Sequence, residues 1–159
     1  MKSLPIQFPY AVEVRHHDFF KEPAEAALNN LLTELSIDRV IFDSRPLFSQ
    51  PPTDEIEEVS QKRKPRSPIR KTVTGSRPIL RLVGRNDLSV VQPWIDEWSE
   101  TIAEWIDEGL KPFVFTHAPD DQFAPEFARM FHNSLSERVS QLEQFRWQYE
   151  PAKQQMKLF

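Results

Sequence analysis

The sequence predicts an α/β fold in which βα units surround a parallel sheet. Short apolar runs alternate along the 159 residues with segments whose apolar side chains recur at helical spacing. Polar side chains gather where the apolar runs end, as they do at the ligand-binding edge of parallel sheets. The predicted strands are residues 10–15, 39–42, 79–83 and 112–116.

Three helices are predicted between and after these strands. Residues 22–35 place alanines and leucines on one face, and residues 125 to about 144 repeat the pattern with larger side chains. Residues 93–108 carry a tryptophan-rich stripe, and Gly109 follows as a helix stop. Tryptophans could stack on nucleic-acid bases, but this spacing is that of a helix face packed on a sheet, so we expect them in the core.

One long connection, residues 45–78, interrupts this alternation and contains six prolines. We expect it to be a functional loop with little regular structure. It begins acidic at residues 54–58 and becomes basic over residues 62–71. The basic stretch either contacts nucleic acid or phosphate, or belongs to a solvated loop whose two halves neutralise each other.

Composition limits the class of protein. The chain contains no cysteine, which excludes disulfides, thiolate nucleophiles and cysteine-ligated metals. The net charge is −4, so the molecule as a whole is not a polyanion-binding surface. No apolar run approaches the roughly 18 residues of a membrane span, and no signal peptide precedes the first strand. We therefore expect a cytoplasmic location and no membrane partner.

The strongest functional signal is the set of polar side chains at the ends of the four strands. Alternation places Glu13 and Arg15 on one strand face, and charges inside an apolar strand must be paired or functional. For Glu13 and Arg81, a structural charge network and a catalytic role fit the sequence equally well. The candidate anion-binding residues are Arg15, Arg45, Arg81, Arg85 and Asn86. The candidate catalytic residues are Glu13, His16, Asp43 and His117.

No metal site is predicted, and the sequence indicates no particular cofactor. His117, Asp120 and Asp121 offer three donor groups, but turn capping is the expected role of the two aspartates. Arginines around a histidine and an aspartate would suit an enzyme that acts on a phosphate or carboxylate, with His16 or His117 as the general acid or base.

Several motifs resemble one known family. They are Tyr-Ala-Val-Glu-Val-Arg-His at 10–16, Arg-Leu-Val-Gly-Arg-Asn at 81–86 and Phe-Thr-His-Ala-Pro-Asp-Asp at 115–121. Over about residues 4–135 the chain resembles the C-terminal half of the domain-of-unknown-function 72 family, the YecE-like proteins. The resemblance implies a βα barrel of the TIM type, with eight strands in the complete family fold, and an activity that is unassigned.

The family's N-terminal half has no counterpart in this sequence. About four strands cannot close a barrel, so we expect a partial TIM-type barrel whose two open sheet edges allow self-association. We expect one domain over residues 1–146, with 45–78 as its long loop, and a tail over residues 147–159. A truncated gene product with an incomplete site is the corresponding alternative.

The tail ends in Gln155, Met156, Lys157, Leu158 and Phe159. This order resembles the pentapeptide by which bacterial DNA-maintenance proteins bind the replication sliding clamp. The glutamine would set the register by hydrogen bonding, and Leu158 and Phe159 would fill an apolar pocket, which is the anchor pattern of a linear motif. The alternative is a frayed tail that ends in apolar residues by chance.

Two functions follow from these features. The first is a clamp-tethered accessory protein of DNA maintenance, with an anion (phosphate) site at the strand ends and the basic stretch 62–71 near nucleic acid. The second is a TIM-barrel hydrolase that processes phosphoesters. The sequence alone leaves open whether the chain is an enzyme.

Overall fold

The computed structural model describes Pro5 and residues 8–148, which contain one four-stranded sheet. All strand pairs are parallel, and the strands lie side by side in chain order. This arrangement confirms the predicted α/β class and the parallel sheet. The strands are β1 (Ala11–Val12), β2 (Asp38–Asp43), β3 (Ile79–Val83) and β4 (Phe113–His117).

Helices flank the sheet, and three of the four were predicted. They are α1 (Ala24–Glu34), α2 (Glu55–Arg63), α3 (Gln92–Asp107) and α4 (Ala124–Ser136). Helix α4 ends before the predicted residue 144, yet Val139 is buried and Leu142 is partly buried against the core. The apolar pattern therefore continues past the helix end, which is why the sequence predicted a longer helix. In the described part of the chain, the helices lack the length and apolar character that a membrane span requires.

Strand β1 is shorter than the predicted segment 10–15. Its ladder joins only Ala11 to Asp38 and Val12 to Arg39, and it is the outermost strand of the sheet. An edge strand is hydrogen-bonded from one side only, so its ends are weakly held.

The two faces of the sheet have different neighbours. On the outer face, Ile41, Leu80 and Leu82 join Trp98 and Phe127 in the main core. Trp98 is fully buried and Trp105 is 7% exposed, which confirms that the tryptophans pack in the core. We call the opposite face the inner face, because it corresponds to the interior of a closed barrel. Alternation and register place on it Ala11, Glu13, Arg15, Phe42, Arg81, Phe113, Phe115 and His117.

The prediction of an irregular segment over residues 45–78 is wrong in its central part, where α2 forms. Asp54 caps this helix by accepting a hydrogen bond from the Glu57 amide, at 2.7 Å. Glutamates occupy the first turn and Lys62 and Arg63 the last, so both ends complement the helix dipole. The acidic-to-basic order of the sequence is thus the charge pattern of a helix, rather than of a solvated loop.

A buried ion pair fixes α2 on the sheet. Glu57 is fully buried, and its carboxylate accepts a hydrogen bond from Nη2 of Arg85, which is 1% exposed, at 2.5 Å. The same carboxylate also accepts from the backbone amides of Thr53, at 2.9 Å, and Asn86, at 3.0 Å. The Asn86 side chain donates to Asp54 at 2.9 Å and thereby joins the helix cap to the residues that follow β3.

We predict that Arg85→Ala lowers the free energy of unfolding by about 3–5 kcal/mol, because it leaves the Glu57 carboxylate buried without its cation. Arg63→Ala, in an exposed position of the same helix, is the matched control and should change stability by less than about 0.5 kcal/mol. Urea unfolding followed by circular dichroism measures both. Equal effects of the two variants would contradict a structural role for the buried pair.

Candidate functional site

A cleft of about 600 Å³ lies where the ends of the first and last strands meet α2. It brings together two residues predicted from the strand ends, Arg15 and His117, and two from the basic stretch, Arg63 and Lys64. The remaining lining residues are Glu55, Ile56, Val59, Ser60, Pro119 and Asp121. The strand ends and the long connection therefore line one common cleft.

The cations of the basic stretch divide into two groups. Lys62 pairs with Glu58 at 2.5 Å, Arg70 with Glu25 at 2.9 Å, and Lys71 with Glu97 at 3.2 Å. Arg63 and Lys64, by contrast, have no ion-pair partner among the described residues, and both line the cleft. Arg66 also lacks an ion-pair partner among the described residues, and its guanidinium lies over the Phe48 ring, 4.2 Å from the centroid. Half of the cations are therefore paired within the protein, and two of the three unpaired ones line the cleft.

Neighbouring cations affect the side chains of the cleft. Burial lowers the pKa of Lys64, and the positive charges of Arg81 and Arg15 lower it further. Asp121 and Glu13 act in the opposite direction but do not offset these effects. Lys64 thus lies in a locally positive environment, and a bound anion would reduce the repulsion between its charge and those of Arg81 and Arg15.

His117 is about 39% exposed at the end of β4, with Nδ1 3.8 Å from a carboxylate oxygen of Asp121. Burial lowers its pKa, as do the nearby charges of Lys64 and Arg81, against the opposing charge of Asp121. The imidazole is therefore mainly neutral near pH 7, in the state that can accept a proton.

The inner face beside the cleft carries a charge network centred on Glu13. Its carboxylate accepts hydrogen bonds from Nε of Arg15, at 2.6 Å, and from Nη1 of Arg81, at 2.5 Å. Both guanidinium groups lie over the ring of Phe42, with Cζ at 5.8 Å and 5.4 Å from its centroid. Burial alone would raise the pKa of Glu13, but the bonds from Arg81 and Arg15 outweigh it and lower the pKa. Of the two roles open to Glu13, this geometry favours the structural network, because a carboxylate held charged is a weak base.

Two predicted residues at the end of β2 lie elsewhere. Asp43 is fully buried, pairs in register with Leu82, and accepts a hydrogen bond from Nε1 of Trp98 at 2.8 Å. It also binds Arg45, which in turn pairs with Glu97 at 3.0 Å. Asp43 therefore joins the sheet to α3 and does not line the cleft. Similarly, Arg85 and Asn86 anchor α2, and the Arg85 charge is neutralised by Glu57.

His16 is exposed, and its Nδ1 accepts a 3.4 Å hydrogen bond from the Asp18 amide. Ligand atoms of His16, His17 and Asp18 lie within 4.8 Å of one another and are the group that could hold a metal ion in the described residues. Asp120 accepts a hydrogen bond from the Gln122 amide at 3.1 Å, which confirms its predicted capping role.

A second cavity, of about 340 Å³, lies between β4, α4 and the segment that contains Phe145 and Trp147. Its lining is mainly apolar and contains none of the predicted site residues. Of the predicted site residues, Arg15 and His117 therefore line the cleft and none lines this cavity.

The sequence did not predict the role of Glu57, nor that α2 forms one wall of the cleft. A signal was present, because Asp54 precedes Glu57 by three residues in the spacing of a capping box. The partner of Glu57 lies 28 residues away, so the pair itself could not be recognised from sequence.

Comparison with known proteins places the chain in a family. The family model described as "Protein of unknown function DUF72" matches residues 1–155. The UPF0759 protein YecE of Escherichia coli strain K12 is 33% identical over 143 residues, which cover 89% of this chain and 52% of YecE. YecE of strain O157:H7 is 32% identical over the same length. The chain thus spans about half the length of the curated relatives it matches.

Two crystal structures of a DUF72 family protein from Enterococcus faecalis V583 share the fold, with TM-scores of 0.55 and 0.56 at 18% and 17% identity. The match covers 82% and 80% of this chain, but 48% and 47% of the compared chains. This likeness fits a partial barrel whose sheet is not closed. On the family match and the identity to YecE, the chain belongs to the YecE-like DUF72 family.

Proposed function

We propose that the protein binds a phosphate-bearing ligand in the cleft between α2 and the strand ends. The observation that supports this most directly is the meeting of Arg63 and Lys64, which lack ion-pair partners among the described residues, with Arg15 and His117. The cations of the lining, Arg15, Arg63 and Lys64, outnumber its acids, Glu55 and Asp121, by one. A bound phosphate would offset this charge and accept hydrogen bonds from the guanidinium and ammonium groups. The carboxyl-terminal ends of barrel strands are also where phosphate sites of this architecture lie.

We predict that Arg63→Ala combined with Lys64→Ala weakens inorganic phosphate binding at least tenfold, or by roughly 1.4 kcal/mol, because two unpaired cations are removed. Lys62→Ala is the matched control, since Lys62 is paired with Glu58 and does not line the cleft. The rise in melting temperature with phosphate at constant ionic strength measures the difference. Stabilisation by general exclusion of phosphate acts equally on all variants, so equal rises would contradict the site.

Anion binding should strengthen as the pH falls. The pKa of His117 is lowered in the free protein, and its protonation adds a cation to the cleft, so a bound anion favours the protonated form. Sulfate is a suitable probe because it does not titrate between about pH 5.5 and pH 8, where histidines do. Calorimetry should find tighter binding at the lower pH for the native chain. His117→Gln should lose most of this dependence, and an unchanged pH profile would exclude His117 from the site.

Hydrolysis of a phosphoester at the same cleft is the second candidate function, and the neutral state of His117 favours it. This histidine can accept a proton from water, whereas Glu13 is held charged by two arginines and Asp43 is buried against α3. Turnover of a phosphomonoester that disappears in His117→Gln would select this function over binding alone.

The tail provides the proposed partner. Gln155, Met156, Leu158 and Phe159 lie outside the described residues, so the proposal rests on their order in the sequence. We propose that they bind the bacterial sliding clamp as an extended peptide, which would place the phosphate site beside DNA and the protein in the cytoplasm. In this function the cleft contacts a nucleic-acid phosphate while the clamp holds the chain nearby.

We predict that a peptide covering residues 151–159 binds purified clamp with a Kd on the order of micromolar, because a short motif loses conformational entropy when it orders. Replacing Leu158 and Phe159 by alanine should abolish the binding, since the anchors carry most of its energy. Calorimetry with the two peptides decides the matter. No heat from the native peptide, or equal heats from both, would remove the tail from the function.

A further inference from the structure

The sheet is open at both sides. Within the described residues, nothing pairs with the free edge of β1 or with that of β4. Parallel strands with flanking helices close into a barrel when there are eight of them, and closure is what removes unpaired edges. The described residues contain four strands, half the number of an eight-stranded closed sheet.

The inner face exposes aromatic side chains beside the β4 edge. Phe113 is 50% exposed and Phe115 is 55% exposed, whereas Val114, on the outer face of the same strand, packs against the core. In the row formed by Phe42, Arg81 and Phe115, the arginine covers the Phe42 ring, which is 5% exposed. Nothing in the described chain covers Phe115 in the same way. Near the other edge, Phe8 is 58% exposed.

The length comparison agrees with the geometry. This chain covers 52% of YecE and 48% of a crystallised family member, so about as much chain again accompanies the matching half in those proteins. The longer relatives therefore contain about the length of chain that a second four-stranded half would need.

We propose that the inner face is an interface between two copies of this chain, which together form one eight-stranded barrel. A two-fold axis along the barrel axis keeps all strands parallel and lets β4 of each copy pair with β1 of the other. The two copies supply eight strands in total, which is the number that closure requires. Exposed aromatic residues lie near both edges, so each of the two β4–β1 pairings between the copies buries apolar surface from both of them.

The charged residues of the inner face are compatible with this interface. Glu13 already pairs with Arg15 and Arg81, so closure would bury a connected network rather than isolated charges. The clefts of the two copies would open at the same end of the barrel, because every strand runs in the same direction.

Sedimentation velocity of the full chain tests the proposal. We expect a species of twice the chain mass for the native protein and a monomer for Phe113→Glu combined with Phe115→Glu. Leucine at both positions is the matched control and should retain the dimer, because it keeps the apolar surface. Far-UV circular dichroism checks that the glutamate variant is folded, which is expected since both side chains are half exposed. A native monomer, or a dimer that tolerates both glutamates, would overturn the proposal.

Cross-linking tests which edges meet, and does so even if the glutamate variant fails to fold. The chain has no cysteine, so single substitutions report one contact each. With a flexible thiol-reactive cross-linker, a mixture of Ala11→Cys and Phe113→Cys chains should form a link between unlike chains, while neither variant should do so alone. A link from Phe113→Cys alone would show that two β4 edges meet, which contradicts the closed barrel. Association only with the half of a longer relative that this chain does not match would also overturn it.

Discussion

The buried ion pair between Glu57 and Arg85 is the interaction on which the candidate site depends. It joins a helix within the long connection to the residues after β3, and four further hydrogen bonds from Thr53 and Asn86 fix the orientation of that helix. Because α2 is held there, its last turn delivers Arg63 and Lys64 to the ends of the first and last strands. The pair thus helps to hold the cations of the connection beside those of the sheet.

A second network prepares the sheet side of the cleft. Glu13 orients Arg15 and Arg81 above Phe42, and the ring fills the space beneath the two guanidinium groups. Arg15 is thereby placed at the cleft, while Arg81 lowers the pKa of Lys64 and of His117 from the inner face. The Glu13 carboxylate thus links the inner face to the charges of the cleft. Closure of the sheet would lower the dielectric constant around the Glu13 network and around the cleft.

Periodicity alone predicted most of the fold, because each core helix places many apolar residues on one face. Helix α2 has only Ile56 and Val59 as large apolar residues, both more than 40% exposed, so its stability comes from capping and from the distant Arg85. Of the predicted site residues, Arg15 and His117 line the cleft, and both lie on the inner face. Asp43 shows the limit, since it shares the outer face with Ile41 and there accepts the Trp98 hydrogen bond. A strand end alone does not say which face a side chain occupies, and alternation has to be applied as well.

A single anion site formed by α2 and the strand ends is tested most directly by a sulfate titration of the isotopically labelled chain, followed by amide chemical shifts in two-dimensional NMR spectra. We expect saturable shifts concentrated at Arg15, at residues 60–64 and at residues 117–121, with a common dissociation constant. Shifts confined to the exposed residues 16–18, or a linear response without saturation, would contradict it.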